Sequence, residues 1–249
     1  MSIQEVHFEE GILDEAKEVI HRYHLTGELN GFEIIEANSA HGWVYRITGF
    51  PYVIKIYKPE GMHNQDHFTL SQLLHCPYTP RLFAYVDNKF VVMEYIEGLT
   101  IQEYLKEFKA LPAQFYDQLR LALYEITYTA NIVLQDMKVD SSVLIHRTTS
   151  HIHLLDFGVV DFTRNLPEEV ALDWAHRAFM SFLTSMGDNR LFRNMPEAAR
   201  TFQEALITNK DKDVDYFLKT ECSDIVNILK DRKQTETIRR SGNYKGSRQ

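Results

Sequence analysis

The spacing of apolar residues along the chain predicts one helix followed by a set of short strands. Between Gly11 and His24, apolar side chains recur at three- and four-residue steps, as on one face of an amphipathic helix. Runs rich in β-branched and aromatic residues, bounded by turn residues, then predict strands at Phe32–Ile35, Trp43–Thr48, Tyr52–Tyr57, Phe83–Tyr85 and Phe90–Tyr95. The first part of the chain is therefore expected to be rich in strands.

Helical periodicity dominates the rest of the chain. It predicts helices at Asn64–His75, Ile101–Phe108, Pro112–Ala130, Pro167–Gly187, Leu191–Leu206 and Val214–Leu229. A strand at Ile152–Leu155 lies among them. Residues 231–249 are polar and basic, and this composition predicts a disordered tail.

The composition is typical of a globular protein without a membrane segment. The 249 residues are 44% hydrophobic and 25% charged, which is enough to bury a sizeable core in one large or two small domains. No apolar run approaches the roughly 20 residues needed to span a bilayer. The first residues also lack the basic start and apolar core of a signal peptide. We therefore expect a cytoplasmic protein with no membrane partner.

Charge is distributed unevenly along the chain. The formal net charge is −8, although residues 230–249 hold seven Lys and Arg against two acidic residues. Because binding to a nucleic-acid duplex needs a basic footprint, the acidic body argues against nucleic acid as a partner. Cys76 and Cys222 lie far apart in sequence and have no metal-ligand spacing.

Four short motifs carry candidate chemistry, and each is a weak signal alone. Lys55 stands in the apolar run Tyr52–Ile56, and Val92–Gly98 ends another strand-like run. Asp136–Lys138 follows, and the Asp-Phe-Gly of Leu154–Gly158 places a carboxylate where a strand meets a turn. A lysine in such a strand can also snorkel to solvent, and an aspartate at such a junction can simply cap a turn.

In this order the four motifs resemble those of the protein-kinase family, and the resemblance covers roughly residues 30–185. The chain closely resembles small, degenerate serine/threonine-protein kinase-like proteins of Firmicutes. The resemblance implies an α+β, two-lobed fold with an antiparallel, β-rich N-lobe and a reduced, mainly helical C-lobe with a short activation segment. It divides the chain into a bracing helix at 1–30, the N-lobe at 31–96, the C-lobe at 97–230 and the tail at 231–249.

The resemblance also implies ATP and Mg²⁺ as cofactors, with a loop that closes over the phosphates. That loop keeps Gly42 and Val44 of the family pattern, whereas Ala37 and Ser39 stand at two of its glycine positions. The loop is therefore stiffer than in the family. Without the other motifs, the same segment would be interpreted as an ordinary β-hairpin.

Around the adenine, the resemblance implies contacts from both sides of the cleft. Val53 would cover the ring together with Val44, and Met93 would lie at the back of the pocket. The Glu94 carbonyl and the Ile96 N–H would meet the edge of the base. Val143 belongs to the same set of predicted nucleotide contacts.

For phosphoryl transfer, the resemblance assigns Asp136 to orient the attacking hydroxyl and accept its proton, and Lys138 to steady the γ-phosphate. Asp156 would bind Mg²⁺. The place of the second metal ligand, an asparagine in the family, falls on Ser141, or on Ser142 if the loop has one extra residue. A purely structural carboxylate is the alternative for Asp136.

Lys55 is expected to hold the α- and β-phosphates and to be held by a carboxylate of the following helix. The family pattern places that carboxylate at His67, while Asp66 and Glu60 lie nearby but off the expected position. A neutral histidine cannot neutralise Lys55. Either a nearby carboxylate substitutes, or the geometry of the lobe differs.

These residues favour an ATP-dependent phosphotransferase, a protein serine/threonine kinase of reduced, atypical form. A pseudokinase that serves as a nucleotide- or protein-binding regulatory module is the alternative, because glycines and the metal-binding asparagine are replaced. A small-molecule kinase is a further alternative. A protein substrate or a regulatory protein is the expected partner.

Overall fold

The computed structural model describes residues 4–36, 42–58, 66–134, 137–138, 141–157, 160–162, 167–188 and 204. Outside the described residues lie most of the predicted helix Leu191–Leu206, all of the predicted helix Val214–Leu229 and the basic tail. The described part is an α+β structure whose N-terminal portion is rich in antiparallel strands.

Six antiparallel strands form the N-terminal sheet: β1 (His7–Phe8), β2 (Phe32–Glu36), β3 (Gly42–Ile47), β4 (Tyr52–Tyr57), β5 (Leu82–Val86) and β6 (Phe90–Glu94). Their spatial order is β1-β5-β6-β4-β3-β2, so β4 lies inside the sheet with a neighbour on each side. The sequence pattern predicted β2 to β6. It did not predict β1, because two residues are too few to show an alternation.

Helix α1, Asp14–Thr26, covers one face of this sheet. Its Ile20 is fully buried in a cluster that includes Ile54 of β4. The helix ends at Gly27, whose φ of 73° is left-handed and strains a residue that carries a Cβ. Because strand side chains alternate, the packing of Ile54 against α1 directs its neighbour Lys55 to the opposite face of the sheet.

The other elements are helices and short strands. They are α2 (Asp66–Gln72), β7 (Gly98–Thr100), α3 (Ile101–Phe108), α4 (Phe115–Ala130), β8 (Ile132–Leu134), β9 (Val143–His146), β10 (Ile152–Leu154), β11 (Val160–Phe162) and α5 (Glu168–Asp188). Helix α2 lies between β4 and β5 in sequence, and the rest follow β6. The short strands pair as β10-β9-β7 and β11-β8.

Helices α4 and α5 pack against each other around an apolar core. Phe115 and Leu123 of α4 and Phe179 of α5 are almost completely buried there. The same cluster reaches Val91 of β6, so one face of the N-terminal sheet shares a core with α4 and α5. Among the described residues, no helix has both the length and the hydropathy that crossing a bilayer requires.

Candidate functional site

Lys55 lies at the centre of a buried cluster of charged side chains. It belongs to β4 and is 5% exposed. Its Nζ lies 3.1 and 3.0 Å from the two carboxylate oxygens of Asp66, and 3.5 Å from Oδ1 of Asp156. The cluster therefore joins the sheet to α2 and to the chain that follows β10. A lysine that snorkels to solvent from a solvated strand face is excluded.

Asp66, the first residue of α2, is the carboxylate that pairs with Lys55. Of the two alternatives left open by the sequence, the structure has the nearby carboxylate, one residue before the family position at His67. His67 points elsewhere: its Nε2 lies 3.1 Å from Asp87 Oδ1, and its ring stacks on Tyr85 with centroids 4.7 Å apart. A buried ammonium is costly without an opposite charge, and Asp66 supplies the negative charge expected from a carboxylate of the following helix.

Burial and charge act in opposite directions on Lys55. Burial lowers the pKa of Lys55 because it disfavours the ammonium, but Asp66 and Asp156 outweigh burial, and the pKa is raised above 10.5. Burial, reinforced by the negative charge of Asp66, also raises the pKa of Tyr57 well above its ordinary value. Lys55 is therefore a cation and Tyr57 is neutral near pH 7.

Asp156 lies at a turn with unusual backbone geometry. Its φ of 68° is left-handed, a conformation that costs energy for a residue other than glycine and that often occurs at functional sites. The next residue, Phe157, is 1% exposed in the core, and its carbonyl accepts a hydrogen bond from Thr69 Oγ1 of α2 at 3.4 Å. This anchoring holds Asp156 near Lys55 and leaves its side chain 28% exposed.

Three of the predicted nucleotide contacts share the strand face of Lys55. Val44 is paired with Lys55 across β3 and β4, and Val53 is paired with Met93 across β4 and β6. Residues paired across strands point to the same side of the sheet. The structure therefore brings Val44, Val53 and Met93 to one surface beside the lysine.

Of the predicted phosphate loop, the structure describes the last part, from Gly42 onwards. Ala37 and Ser39 lie outside the described residues, and Gly42 begins β3. A Cβ on Gly42 would lie 2.5 Å from the carbonyl oxygen of Ile56, so this position has no room for a side chain. The glycine is thus required by the close approach of β4, whatever the loop binds.

The segment that follows β6 is held at two points. The Tyr95 N–H donates to the Pro51 carbonyl at 2.9 Å, and the Glu94 carboxylate accepts from the Arg81 N–H at 3.3 Å. These contacts fix the path of the backbone between Glu94 and Ile96. The adenine contacts of the Glu94 carbonyl and the Ile96 N–H remain predictions.

The predicted catalytic loop is described in part, and Asp136 lies outside the described residues, as does Gly158. Lys138 is exposed, and its backbone N–H donates to Ser142 Oγ at 2.8 Å. Ser142 is fully buried, whereas Ser141 is exposed. The Ser142 hydroxyl therefore braces the loop, and Ser141 is the more open of the two serines.

Val143, one of the predicted nucleotide contacts, faces the core. It is fully buried and pairs with Leu154, which is also fully buried, on the core side of the β9 and β10 hairpin. Leu144 and His146 lie on the opposite side of β9 because strand side chains alternate. Contact of Val143 with a nucleotide remains a prediction.

The cluster can bind phosphate and contribute to binding a cation. Lys55 supplies a buried positive charge for phosphate oxygens, and Asp156 supplies a part-exposed carboxylate of the kind that Mg²⁺ prefers. Within the described ranges, no group of three or more His, Cys, Asp or Glu side chains could hold a metal ion. Mg²⁺ at Asp156 would therefore need oxygen ligands from a bound phosphate or from water, as is usual for this ion.

Comparison with known proteins gives coarse support for a kinase-like relationship. No protein-family model matches the chain. The serine/threonine-protein kinase RIM15 of Saccharomyces cerevisiae is 28% identical in an alignment 157 residues long, and the alignment covers 54% of this chain and 9% of the yeast protein. The aligned stretch is thus a small part of that protein. The resemblance to proteins of Firmicutes has no support in these comparisons.

Proposed function

We propose that the chain is a Mg²⁺- and ATP-dependent phosphotransferase with a two-lobed, kinase-like fold, acting on serine or threonine hydroxyls of a protein. The observation that carries the proposal is the buried cluster of Lys55, Asp66 and Asp156. The partial similarity to a yeast serine/threonine-protein kinase supports the reaction class. In this proposal residues 31–96 form the N-lobe and residues 97–230 the C-lobe.

The free-energy cost of burying these charged side chains is an argument that the cluster has a function. Taking a lysine and a carboxylate out of water costs several kcal/mol per ion, and an apolar pair of similar volume is often as stable. Packing alone therefore gives no reason for Lys55 and Asp66 to be ionic. The Lys55 cation is held by the Asp66 carboxylate and faces the part-exposed carboxylate of Asp156. This arrangement suits a nucleoside triphosphate bound with its metal ion.

Each residue has a stated role in the proposal. Lys55 binds the α- and β-phosphate oxygens, and Asp66 orients the lysine. Asp156 would hold Mg²⁺, with Ser141 as a second candidate ligand, and the ion would neutralise charge on the phosphates. Asp136 orients the hydroxyl of the substrate and takes up its proton, and transfer otherwise depends on positioning.

Thermal unfolding with and without ATP and Mg²⁺ tests nucleotide binding. Ligand at about 100 times its dissociation constant adds about 2.7 kcal/mol of stability, which is several degrees for a chain of this size. We expect a Mg²⁺-dependent rise for the native sequence and none for Asp156→Asn or Lys55→Met. Lys17→Met is the control, because Lys17 forms a surface pair with Asp14 far from the cluster.

A nucleotide-binding regulatory module without transfer is the second candidate. The observation that favours it is Ser142, whose hydroxyl accepts a backbone hydrogen bond within the protein. An asparagine at the metal-binding position would offer an amide oxygen instead. A native chain that binds ATP and Mg²⁺ but shows no transfer would favour this candidate, and a chain that shows no thermal shift would contradict both.

A further inference from the structure

Two consecutive residues at the start of α2 contact two different strands of the N-terminal sheet. Asp66 reaches Lys55 of β4, whereas the ring of His67 stacks on Tyr85 of β5 with the two ring planes 19° apart. Strand β6 lies between β4 and β5. Because an α-helix turns by about 100° per residue, neighbouring side chains diverge in this way. The first turn of α2 is therefore attached to the sheet at two points.

Both attachment points belong to one row of residues across the sheet. Lys55 is paired with Val91 of β6, and Val91 is paired in turn with Tyr85. Residues paired across strands point to the same face, so Lys55 and Tyr85 face α2 together, with two strand spacings, about 10 Å, between their backbones. His7 of β1 is paired with Tyr85 and stacks on it, with ring centroids 4.9 Å apart. The Tyr85 ring is therefore held in place by the sheet as well as by α2.

A polar contact fixes the edge of the His67 ring. Its Nε2 lies 3.1 Å from Oδ1 of Asp87, which follows β5, and the His67 side chain is 20% exposed. Burial lowers the pKa of His67 more than the Asp87 and Asp66 carboxylates raise it, and His7 lowers it further. The ring is therefore neutral near pH 7. Its attachment depends on stacking and on the contact with Asp87 rather than on a full ion pair.

Helix α2 depends on contacts of this kind because it has only seven residues, too few for a helix to be stable alone. Asp66, Thr69 and Leu70 share one face of the helix, since they are three and four residues apart. Contacts on a single face leave the helix free to rotate about its axis, and His67 adds a contact on another face. A rotation of about 20° would move a carboxylate on this helix by about 2 Å, enough to break its hydrogen bonds.

We propose that His67 is a positioning residue: its contacts with Tyr85 and Asp87 fix the rotation of α2 at which Asp66 meets Lys55. His67 itself touches neither Lys55 nor a phosphate in this proposal, and it acts through its neighbour. Its importance for binding ATP and Mg²⁺ rests on the proposed function. Its effect on the buried pair does not, so the two are tested separately.

Chemical denaturation of the full chain tests the link between His67 and the buried pair. The loss of stability caused by Asp66→Asn is measured in the native sequence and in the His67→Ala background. If His67 positions Asp66, the loss in the His67→Ala background should be about half of the native value or less, because the pair is already weakened. His75→Ala, an exposed position shortly after α2, is the control background and should leave the loss unchanged. Equal losses in the native and His67→Ala backgrounds overturn the proposal.

Asp87→Ala provides a second background for the same comparison. The Asp87 side chain is 54% exposed, so this variant is expected to fold even if His67→Ala does not. The loss caused by Asp66→Asn should again be smaller than in the native sequence, since the edge of the His67 ring is released. A loss equal to the native value in this background also overturns the proposal.

Calorimetric titration with ATP and Mg²⁺ tests the effect on the proposed nucleotide site. His67→Ala and Asp87→Ala should each weaken binding by about threefold or more, because Lys55 is no longer held in place, whereas His75→Ala should bind as the native chain does. A native chain that binds ATP and Mg²⁺, with His67→Ala and Asp87→Ala binding equally well, overturns the proposal. If the native chain does not bind them, the proposed function fails, and the denaturation experiment alone decides whether His67 positions Asp66.

Discussion

The Nζ atom of Lys55 lies 3.0 Å from Oδ2 of Asp66, and neither side chain is more than 6% exposed. Lys55 comes from an inner strand and Asp66 from the first turn of α2, so the pair fixes the helix against the sheet. Asp156 approaches the same ammonium at 3.5 Å. The same three side chains therefore contribute to the stability of the fold and form the proposed nucleotide site.

We predict that Asp66→Asn lowers the free energy of unfolding by about 3–5 kcal/mol, because it leaves a buried ammonium with a single, more distant carboxylate. Chemical denaturation measures this loss. Asp14→Asn is the control, since Asp14 pairs with Lys17 on the exposed surface of α1 and a much smaller effect is expected there. A loss below about 1 kcal/mol for Asp66→Asn would show that the buried pair contributes little.

Asp136→Asn should reduce transfer of the γ-phosphate by about 100-fold or more, because the amide cannot accept the hydroxyl proton. The thermal shift with ATP and Mg²⁺ should persist in this variant. Transfer can be followed as phosphorylation of the chain itself, with Asp117→Asn, an exposed residue of α4, as the control. Transfer at the native rate in Asp136→Asn would remove this residue from the mechanism.

We predict that protonation of His153 lowers the stability of the protein in acid. Burial, then His151 and His146, lowers the pKa of His153 from 6.5 to about 4, so the unfolded chain takes up the proton first. The contribution of neutral His153 to the free energy of unfolding is therefore complete above pH 6.5 and is lost as the pH falls towards 4. Burial also lowers the pKa of His67 and of His176, which act in the same direction.

The test compares denaturation midpoints between pH 7 and 4 for the native sequence and for His153→Asn. The slope of stability against pH should be shallower in the variant, because one titrating group is removed. His75→Asn, at an exposed position, is the matched control. Identical slopes for the native chain and His153→Asn would contradict the prediction.

Gly42→Ala should lower stability by about 1–3 kcal/mol, because its Cβ would overlap a backbone oxygen of β4 that cannot move alone. The same shift would displace Lys55, whose Cγ lies 3.4 Å from the added Cβ, and should weaken the stabilisation by ATP and Mg²⁺. Gly27→Ala is the control: its Cβ would meet nothing within 4 Å, and its strain is confined to a left-handed φ. If ATP and Mg²⁺ stabilise Gly42→Ala as much as they stabilise the native chain, Gly42 does not contribute to the nucleotide site.

Much of the fold could be predicted because it depends on local periodicity. Helix α3 was predicted with its observed bounds, and Thr100 and Glu103 form a capping box at its start. Strand β4 was likewise predicted in full. The short strands β1, β7, β8, β9 and β11 were not predicted, because two to four residues carry too little pattern and form only through pairing with distant partners.

Adjacent residues alone were enough to predict that Lys55 stands on a strand with apolar neighbours and that Asp156 follows a buried strand. The sequence could not choose between Asp66 and His67, since that choice depends on where α2 begins relative to a lysine eleven residues earlier. Such a relationship is visible only in the folded chain, because it joins residues through the packing of separate elements.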